Sequence, residues 1–123
     1  MKYFIDAGTY NGKLLEEVIC IFPPFDKYIG FEPVPQVYEE SKARFKDNKK
    51  VEINQLAVST SFEKNVKLYV SYCKEKGGSK EEGTEIGVGS TLCHKKKSGH
   101  IRKDKFIKVK TIDLSKYIMS NFK

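Results

Sequence analysis

The sequence predicts an α/β fold in which short parallel strands alternate with helices. Residues 3–5 and 28–31 are continuous apolar runs, as expected of strands that are covered on both faces, whereas a half-exposed strand would alternate. The residues between these two runs repeat at helical spacing. A strand, a helix and a second strand in this order predict a β-α-β unit with a parallel sheet.

The first helix is expected between the two runs. Its predicted apolar stripe has five members, which are Leu14, Leu15, Val18, Ile19 and Phe22. Glu16 and Glu17 lie opposite this stripe, and Pro23 with Pro24 ends the helix.

A second helix and a third strand are expected after Glu32. Pro35 suits the first position of a helix, and Tyr38, Ser41 and Phe45 align on one face of it. Residues 51–59 then form the predicted third strand, so the first half of the chain supplies three parallel strands.

After residue 60 the pattern changes to that of an antiparallel β-ribbon. Apolar and polar residues alternate over 66–72 and again over 107–111, which is typical of strands with one wet face. The Lys-, Glu- and Gly-rich residues 74–89 between them are expected to form a mobile loop. A last amphipathic helix begins after Asp113, which we expect to be its N-cap.

The loop after the first strand has the spacing of a nucleoside-binding site. Asp6, Gly8 and Gly12 follow the first apolar run, and Glu32 closes the second run. Glycines let the backbone approach a ligand closely, and a carboxylate at the end of the next strand can accept hydrogen bonds from both ribose hydroxyls. Tyr10 stands where a dinucleotide-binding loop has its middle glycine, beside the path of the pyrophosphate. The loop therefore favours a nucleoside ligand without phosphates. S-adenosylmethionine is such a ligand, and the acidic Asp6 that opens the loop fits its cationic amino and sulfonium groups rather than an anion.

The chain resembles the FkbM-type family of S-adenosylmethionine-dependent methyltransferases. The resemblance rests on five segments in the family's order, which are residues 4–12, Ile29-Gly30-Phe31-Glu32-Pro33-Val34-Pro35, Leu56-Ala57-Val58-Ser59, Gly89-Ser90-Thr91-Leu92 and residues 109–114. The Phe-Glu-Pro turn is the most specific of them. The resemblance implies a Rossmann-like class I methyltransferase fold with an antiparallel ribbon inserted after its first three parallel strands. It also implies O-methylation of a hydroxyl group on a sugar or small molecule.

The family pattern continues beyond the last matching segment with an acidic Lys-Ile-Asp-x-Glu-Gly-like strand that this sequence lacks. We therefore expect residues 1–123 to form one FkbM-like domain, truncated at its C-terminal end. In the sheet order that the resemblance implies, the first strand is central, so truncation would leave its edge unpaired. A partner chain or self-association is expected to cover this edge. A catalytically inactive fragment that only binds cofactor or a partner is the first alternative to an enzyme.

The candidate cofactor-binding residues are Asp6, Gly8, Tyr10, Asn11, Gly12, Glu32, Pro33, Val34 and Ala57. Tyr10 and Asn11 are expected near the methionine part of the cofactor, and Pro33 and Val34 beside the adenine. Several have structural alternatives: Asp6 could bond its own loop amides, Glu32 could be a solvated carboxylate, and Ala57 could be a small core residue. No catalytic base is identified, because capping explains Asp113 better than catalysis does.

The net charge of +7 leaves a nucleic-acid-binding module as a second alternative. Cationic residues crowd the segment 94–110, at Lys95, Lys96, Lys97, Arg102, Lys103, Lys105, Lys108 and Lys110, together with His94 and His100. The segment has one aromatic residue, Phe106, and no RNA-binding motif, so a solvated loop is the simpler interpretation.

The composition fits one compact cytoplasmic unit. The chain has 39% hydrophobic residues and no apolar run long enough for a membrane span. Three cysteines, Cys20, Cys73 and Cys93, form no C-x-x-C pair, which indicates a reducing compartment. A zinc site from Cys73, Cys93, His94 and His100 lacks the usual ligand spacing, so no metal site is predicted.

Overall fold

The structure, a computed structural model, describes residues 1–78, 83–87, 90, 92 and 101–122, without the side chains of 101–103. The elements run in the order β1 (Tyr3–Ala7), α1 (Lys13–Ile21), β2 (Lys27–Phe31), α2 (Pro35–Arg44), β3 (Val51–Asn54), β4 (Ala57–Ser59), β5 (Val66–Cys73), β6 (Glu85–Ile86), β7 (Ile101–Val109), β8 (Thr111–Asp113) and α3 (Leu114–Asn121). They divide into two compact units, Met1–Glu63 with Lys110–Lys123, and Lys64–Val109.

The first unit contains a parallel three-stranded sheet in the order β1-β2-β3, which confirms the predicted α/β class. Ile5 lies beside Ile29 of β2, and Ile29 lies beside Glu52 of β3. The joining helices make the parallel connection possible, since strands of the same direction need a long crossover.

Two helices cover one face of this sheet. Leu15 of α1 and Phe45, which follows α2, pack with Tyr28 of β2 in a buried apolar cluster, and Phe4 and Ile53 border it. We call this side the α1 face. Because side chains alternate across a strand, Phe4, Asp6, Tyr28 and Gly30 belong to this face.

The opposite side of the sheet faces α3, and we call it the α3 face. Phe31 packs edge-on against Tyr117 of α3 with ring centroids 5.4 Å apart, and Tyr3 lies 4.3 Å from the ring of Phe122. Asp113 accepts a hydrogen bond from the Lys116 amide at 3.1 Å, which confirms it as the N-cap of α3.

The two predicted helices form, but the predicted stripe of α1 is not all buried. Leu15 is fully buried, whereas Leu14 is 67% and Phe22 is 56% exposed. Ser41 of α2 and Phe45, which follows α2, are buried as expected, while Val37 rather than Tyr38 completes the buried face. Leu14 lies at one margin of the predicted stripe, and Phe22 follows the end of α1 in extended backbone, so neither side chain joins the buried surface.

The predicted third strand, 51–59, is wrong as a single element. It breaks at Gln55 and Leu56, where the Leu56 amide bonds to the Asn54 carbonyl at 2.9 Å. β3 stays in the main sheet, while β4 pairs in parallel with β8. The pairing of β4 starts with the Ala57 amide and the Lys110 carbonyl, a partner 53 residues later in sequence that local pattern does not reveal.

The second unit is the predicted antiparallel ribbon. β5 pairs with β7 and with the short β6, and Leu68 and Val70 are buried on one side of β5. β6 lies inside the segment 74–89, so the expectation of a loop over this whole segment is wrong at Glu85 and Ile86. In the part of the chain that the structure describes, no helix is long and apolar enough to cross a membrane.

Candidate functional site

The segment from β1 to α1 is a tight loop held against β2. The amides of Gly8 and Thr9 both donate to the Phe31 carbonyl, at 2.9 and 3.0 Å, and the Gly12 amide donates to the Thr9 carbonyl at 3.0 Å. Three residues have positive φ, which is 93° at Gly8, 55° at Tyr10 and 81° at Gly12. Left-handed backbone is costly for tyrosine, so other contacts must stabilise this loop.

Glu32 provides such a contact. One of its carboxylate oxygens accepts the Tyr10 amide at 2.8 Å, and the other accepts the Val34 amide at 2.9 Å. The residue is 5% exposed. Glu32 therefore joins the loop after β1 to the turn after β2, and the solvated carboxylate considered from sequence is wrong. Two amide bonds leave further lone pairs on the carboxylate oxygens for ligand hydroxyls.

Asp6 belongs to the last part of β1 rather than to the loop. Burial raises the pKa of Asp6 above its ordinary value of 3.8, and a hydrogen bond from Thr9 opposes this shift. Burial likewise raises the pKa of Glu32, the amides of Val34 and Tyr10 oppose the shift, and the negative charge of Asp6 adds to it. Two carboxyl groups with raised pKa thus lie near each other at the carboxyl end of the sheet, and a cationic ligand would favour ionisation of both.

The glycines of the motif have different environments. A Cβ at Gly8 would meet no heavy atom within 4 Å, so the space beside it is open. A Cβ at Gly12 would lie 2.7 Å from the Phe45 ring and 2.9 Å from Ser41 Oγ, so Gly12 lets α1 begin against α2. Gly8 is the glycine whose surroundings leave room for a ligand.

Asn11 is occupied by local contacts at the start of α1. Its side-chain oxygen accepts the Lys13 amide at 3.1 Å, and its carbonyl accepts Arg44 Nε at 3.0 Å. Arg44 also bonds Glu16 at 2.8 Å, so this side of the loop is tied to α2.

The remaining candidates lie on different elements. Val34 is buried and Pro33 is half-buried in the turn that Glu32 stabilises. Ala57 is buried at the start of β4, so its expected place at the end of the third strand is wrong. The structure thus brings Asp6, Tyr10 and Glu32 together, with Gly8 in the same loop.

Sequence reasoning missed Thr9. This residue is 3% exposed, and its hydroxyl donates to the Asp6 carbonyl at 3.2 Å. The Thr9 side chain occupies the space that a Cβ on Gly30 would need. Close packing therefore explains Gly30, and a glycine near the end of a buried strand is a signal in the sequence for a side chain packed against it.

Other candidate sites lie elsewhere or outside the described residues. A groove between α2 and β3 is lined partly by Lys42, Lys46 and Lys49. Within the described ranges, no three His, Cys, Asp or Glu residues are placed to hold a metal ion. Of the four zinc ligands considered from the sequence, Cys93, His94 and His100 lie outside those ranges, as do Lys95, Lys96 and Lys97 of the basic segment.

Comparisons with family models, with curated proteins and with solved structures find no match to this chain.

Proposed function

We propose that the chain binds S-adenosylmethionine at the loop between β1 and α1 and transfers its methyl group to a hydroxyl group of a sugar or small molecule. The proposal combines the site geometry with the family resemblance of the sequence. The geometry bears on the cofactor, and the resemblance alone suggests the acceptor.

The observation that carries the proposal is the position of Glu32. Its carboxylate lies at the carboxyl ends of parallel strands, where ligands bind in open α/β sheets, and directly beside the Tyr10 amide of the glycine loop. A carboxylate in this place can accept the ribose hydroxyls of a nucleoside through its remaining lone pairs.

Asp6 and Gly8 support a cationic ligand. Asp6 lies near the end of β1, beside the loop, and burial disfavours its ionised form in the free protein. A sulfonium or ammonium group would offset that cost, whereas the phosphates of a dinucleotide would increase it. The open space beside Gly8 would admit the ligand next to the backbone.

The chemistry asks little of the protein beyond alignment. The sulfonium already activates the methyl group, so the site must hold donor and acceptor in line and accept one proton from the hydroxyl. Asp113 accepts the Lys116 amide as a helix cap, which argues against a role as the base. We assign no catalytic base.

Calorimetric titration with S-adenosylmethionine, S-adenosylhomocysteine and NAD tests the cofactor assignment. Loss of a hydrogen bond to a charged acceptor costs about 1.5–3 kcal/mol, so Glu32→Ala should weaken S-adenosylhomocysteine binding about tenfold or more. Glu39→Ala, which removes an exposed carboxylate from α2, is the matched control and should bind like the wild type. Tighter binding of NAD, or equal affinity in Glu32→Ala, would contradict the proposal. Binding without methyl transfer to any tested acceptor would support the inactive alternative instead.

A second candidate function is binding of single-stranded nucleic acid by the ribbon. On β5 and β7, Lys67 lies opposite Lys108 and Tyr69 lies opposite Phe106. The Lys67 ammonium lies 4.5 Å from the centre of the Phe106 ring, which is 38% exposed. Two cations beside two aromatic rings could contact phosphates and stack bases. The sequence showed Phe106 as an isolated aromatic residue of the basic segment, because its neighbour Tyr69 is distant in sequence.

This second candidate predicts salt-dependent binding of an unstructured oligonucleotide. Affinity should fall steeply with salt concentration, and Phe106→Ala should weaken it while Phe62→Ala, a change of another exposed phenylalanine, should not. Binding that is insensitive to salt or to Phe106→Ala would exclude this surface.

A further inference from the structure

The outer edge of β1 has main-chain groups that no described residue pairs. Lys2 and Gly8 bond β2 through the Lys2 carbonyl and the Gly8 amide. The direction of the main-chain amides and carbonyls alternates along a strand. Those of Phe4 and Asp6 therefore also point toward β2, whereas those of Tyr3, Ile5 and Ala7 point away from it. In the sheet order β1-β2-β3, that outer side is an edge.

An apolar flank of α1 lies on the same side. Leu15 faces the sheet, and Glu16 faces α2, where it bonds Arg44. Leu14 and Glu16 lie on opposite sides of Leu15 around the helix, because each is one residue away from it. Glu16 faces α2, so Leu14 lies on the flank that points away from α2. Val18 and Ile21 follow Leu14 at helical spacing, and Leu14 and Ile21 are 67% and 73% exposed. Since α2 lies toward β3, this flank lies toward the open edge of β1.

We propose that a second copy of this chain covers the edge, with β1 antiparallel to β1 of the copy in one continuous sheet. Strands related by a two-fold axis perpendicular to the sheet must be antiparallel, and each must use the same surface. The same axis places both copies of α1 on one face of the sheet. Their apolar flanks then face each other.

The spacing of the elements agrees with this arrangement. Neighbouring strands are about 4.8 Å apart, and a helix of a β-α-β unit lies over the two strands that it joins. The two copies of α1 would therefore be separated by two strand spacings, about 9.6 Å. Packed helices lie about 8–10 Å apart, so one contact can cover both the strand edge and the helix flank.

Charge selects one register of the two strands. With Phe4 opposite Phe4 of the copy, Tyr3 and Ile5 exchange main-chain hydrogen bonds, and Lys2 lies opposite Asp6 on the α1 face. This pairing occurs twice by symmetry. A register centred on Ile5 would put Asp6 opposite Phe4 and Lys2 opposite Gly8, so neither side chain would lie opposite a charge of the other strand. The Phe4-centred register is therefore the one that we infer.

Light scattering after size exclusion, over a range of concentrations, tests the proposal with the full chain. We expect a mass of twice 14.1 kDa that decreases on dilution. Leu14→Lys should raise the dimer dissociation constant at least about tenfold, because it puts a charge into the helix contact. Glu17→Gln makes the same change in net charge on an exposed part of α1 and should leave the constant unchanged. Circular dichroism should show that both variants fold, since both positions are exposed.

Two further measurements address the strand pairing. The Ile5 amide should be protected from hydrogen exchange in the wild-type dimer and exchange faster in Leu14→Lys. Lys2→Glu should weaken the dimer, because it places two carboxylates opposite each other, whereas Lys13→Glu on α1 should not weaken it.

A monomer at all concentrations would overturn the proposal, whether or not Ile5 is protected. In a monomer, a protected Ile5 amide would show that another part of the same chain covers the edge of β1. An unprotected Ile5 amide would show that the edge is open and free to pair with a different polypeptide. A dimer insensitive to Leu14→Lys and Lys2→Glu would also overturn it. None of these results depends on cofactor binding, so failure here and failure of the methyltransferase proposal are distinguishable.

Discussion

Substitution of Glu32 by alanine should destabilise the protein itself, apart from any effect on a ligand. The carboxylate accepts two amides, from Tyr10 at 2.8 Å and from Val34 at 2.9 Å, and it is 5% exposed. Alanine removes the acceptor of both amides. The Tyr10 loop, which has a φ of 55°, also loses its connection to the turn after β2.

The size of the effect follows from where the two amides lie. Val34 is buried, so its amide would remain without a partner, at a cost of about 1–3 kcal/mol. Tyr10 is half-buried, and water can replace part of its bond. Removing a buried negative charge also stabilises the folded state in part, because burial and Asp6 disfavour the ionised form of Glu32. We expect a net loss of about 2 kcal/mol in the free energy of unfolding, against about 5–15 kcal/mol for a typical domain.

Urea denaturation followed by circular dichroism measures this loss. With a slope of about 1–3 kcal/mol per molar urea, the unfolding midpoint of Glu32→Ala should fall by roughly 1 M. Glu39→Ala removes a carboxylate of the same length from an exposed position on α2 and should shift the midpoint little. The two variants have the same net charge, so a difference between them reports the buried contacts.

An unchanged midpoint in Glu32→Ala would refute the assignment of Glu32 as the residue that holds the loop. A large shift in Glu39→Ala would refute the comparison, because it would show that loss of any carboxylate destabilises this cationic chain. Ligand affinity in variants that remain folded then reports the contribution of Glu32 to binding separately from its contribution to stability.

Three other predictions concern the same site. Gly8→Val should abolish cofactor binding with a modest loss of stability, measured by calorimetry and urea denaturation, because φ is 93° at Gly8 and its added side chain would extend into open space; a variant that binds normally would show that the loop does not contact the ligand. Gly30→Val should instead lower the unfolding free energy by about 1–3 kcal/mol or more, because its side chain would meet Thr9; wild-type stability would contradict the close packing. Burial raises the pKa of Glu32 above 4.5 and that of Asp6 above 3.8, so the folded state binds protons more strongly than the unfolded state. The unfolding free energy should therefore decrease as the pH rises through and just above these values, and it should decrease less in Glu32→Gln. An equal slope of unfolding free energy against pH in both proteins would exclude Glu32 as a cause of the pH dependence.

The two glycines of the loop after β1, Gly8 and Gly12, show why motif spacing alone does not assign a site. Gly8 and Gly12 both have positive φ, and both belong to the motif. Open space surrounds the Cβ position of Gly8, whereas the Phe45 ring lies 2.7 Å from that of Gly12. Backbone conformation explains both residues, but room for a ligand distinguishes them.

The sequence by itself determined the local elements of the first unit. Continuous apolar runs predicted β1 and β2, helical spacing predicted α1 and α2, and Asp113 was recognised as a cap. Such features depend on residues that are close in sequence, where side-chain periodicity and capping act within one or two turns of the chain. The sequence also selected Asp6 and Glu32, because both end apolar runs that were expected to be neighbouring strands.

Only the tertiary structure decided which of these residues contact each other and where a strand leaves one sheet to pair in another. Residues 51–59 are apolar enough for one strand, yet β4 leaves the sheet because Ala57 bonds the Lys110 carbonyl. The exposed flank of α1 could not be predicted either, since Leu14 and Leu15 have the same side chain and differ only in the direction they face. Glu32 stabilises the loop after β1 because the amides of Tyr10 and Val34, from two separate segments, both donate to its carboxylate. Contacts of this kind depend on how distant segments pack, and local periodicity contains no information about that packing.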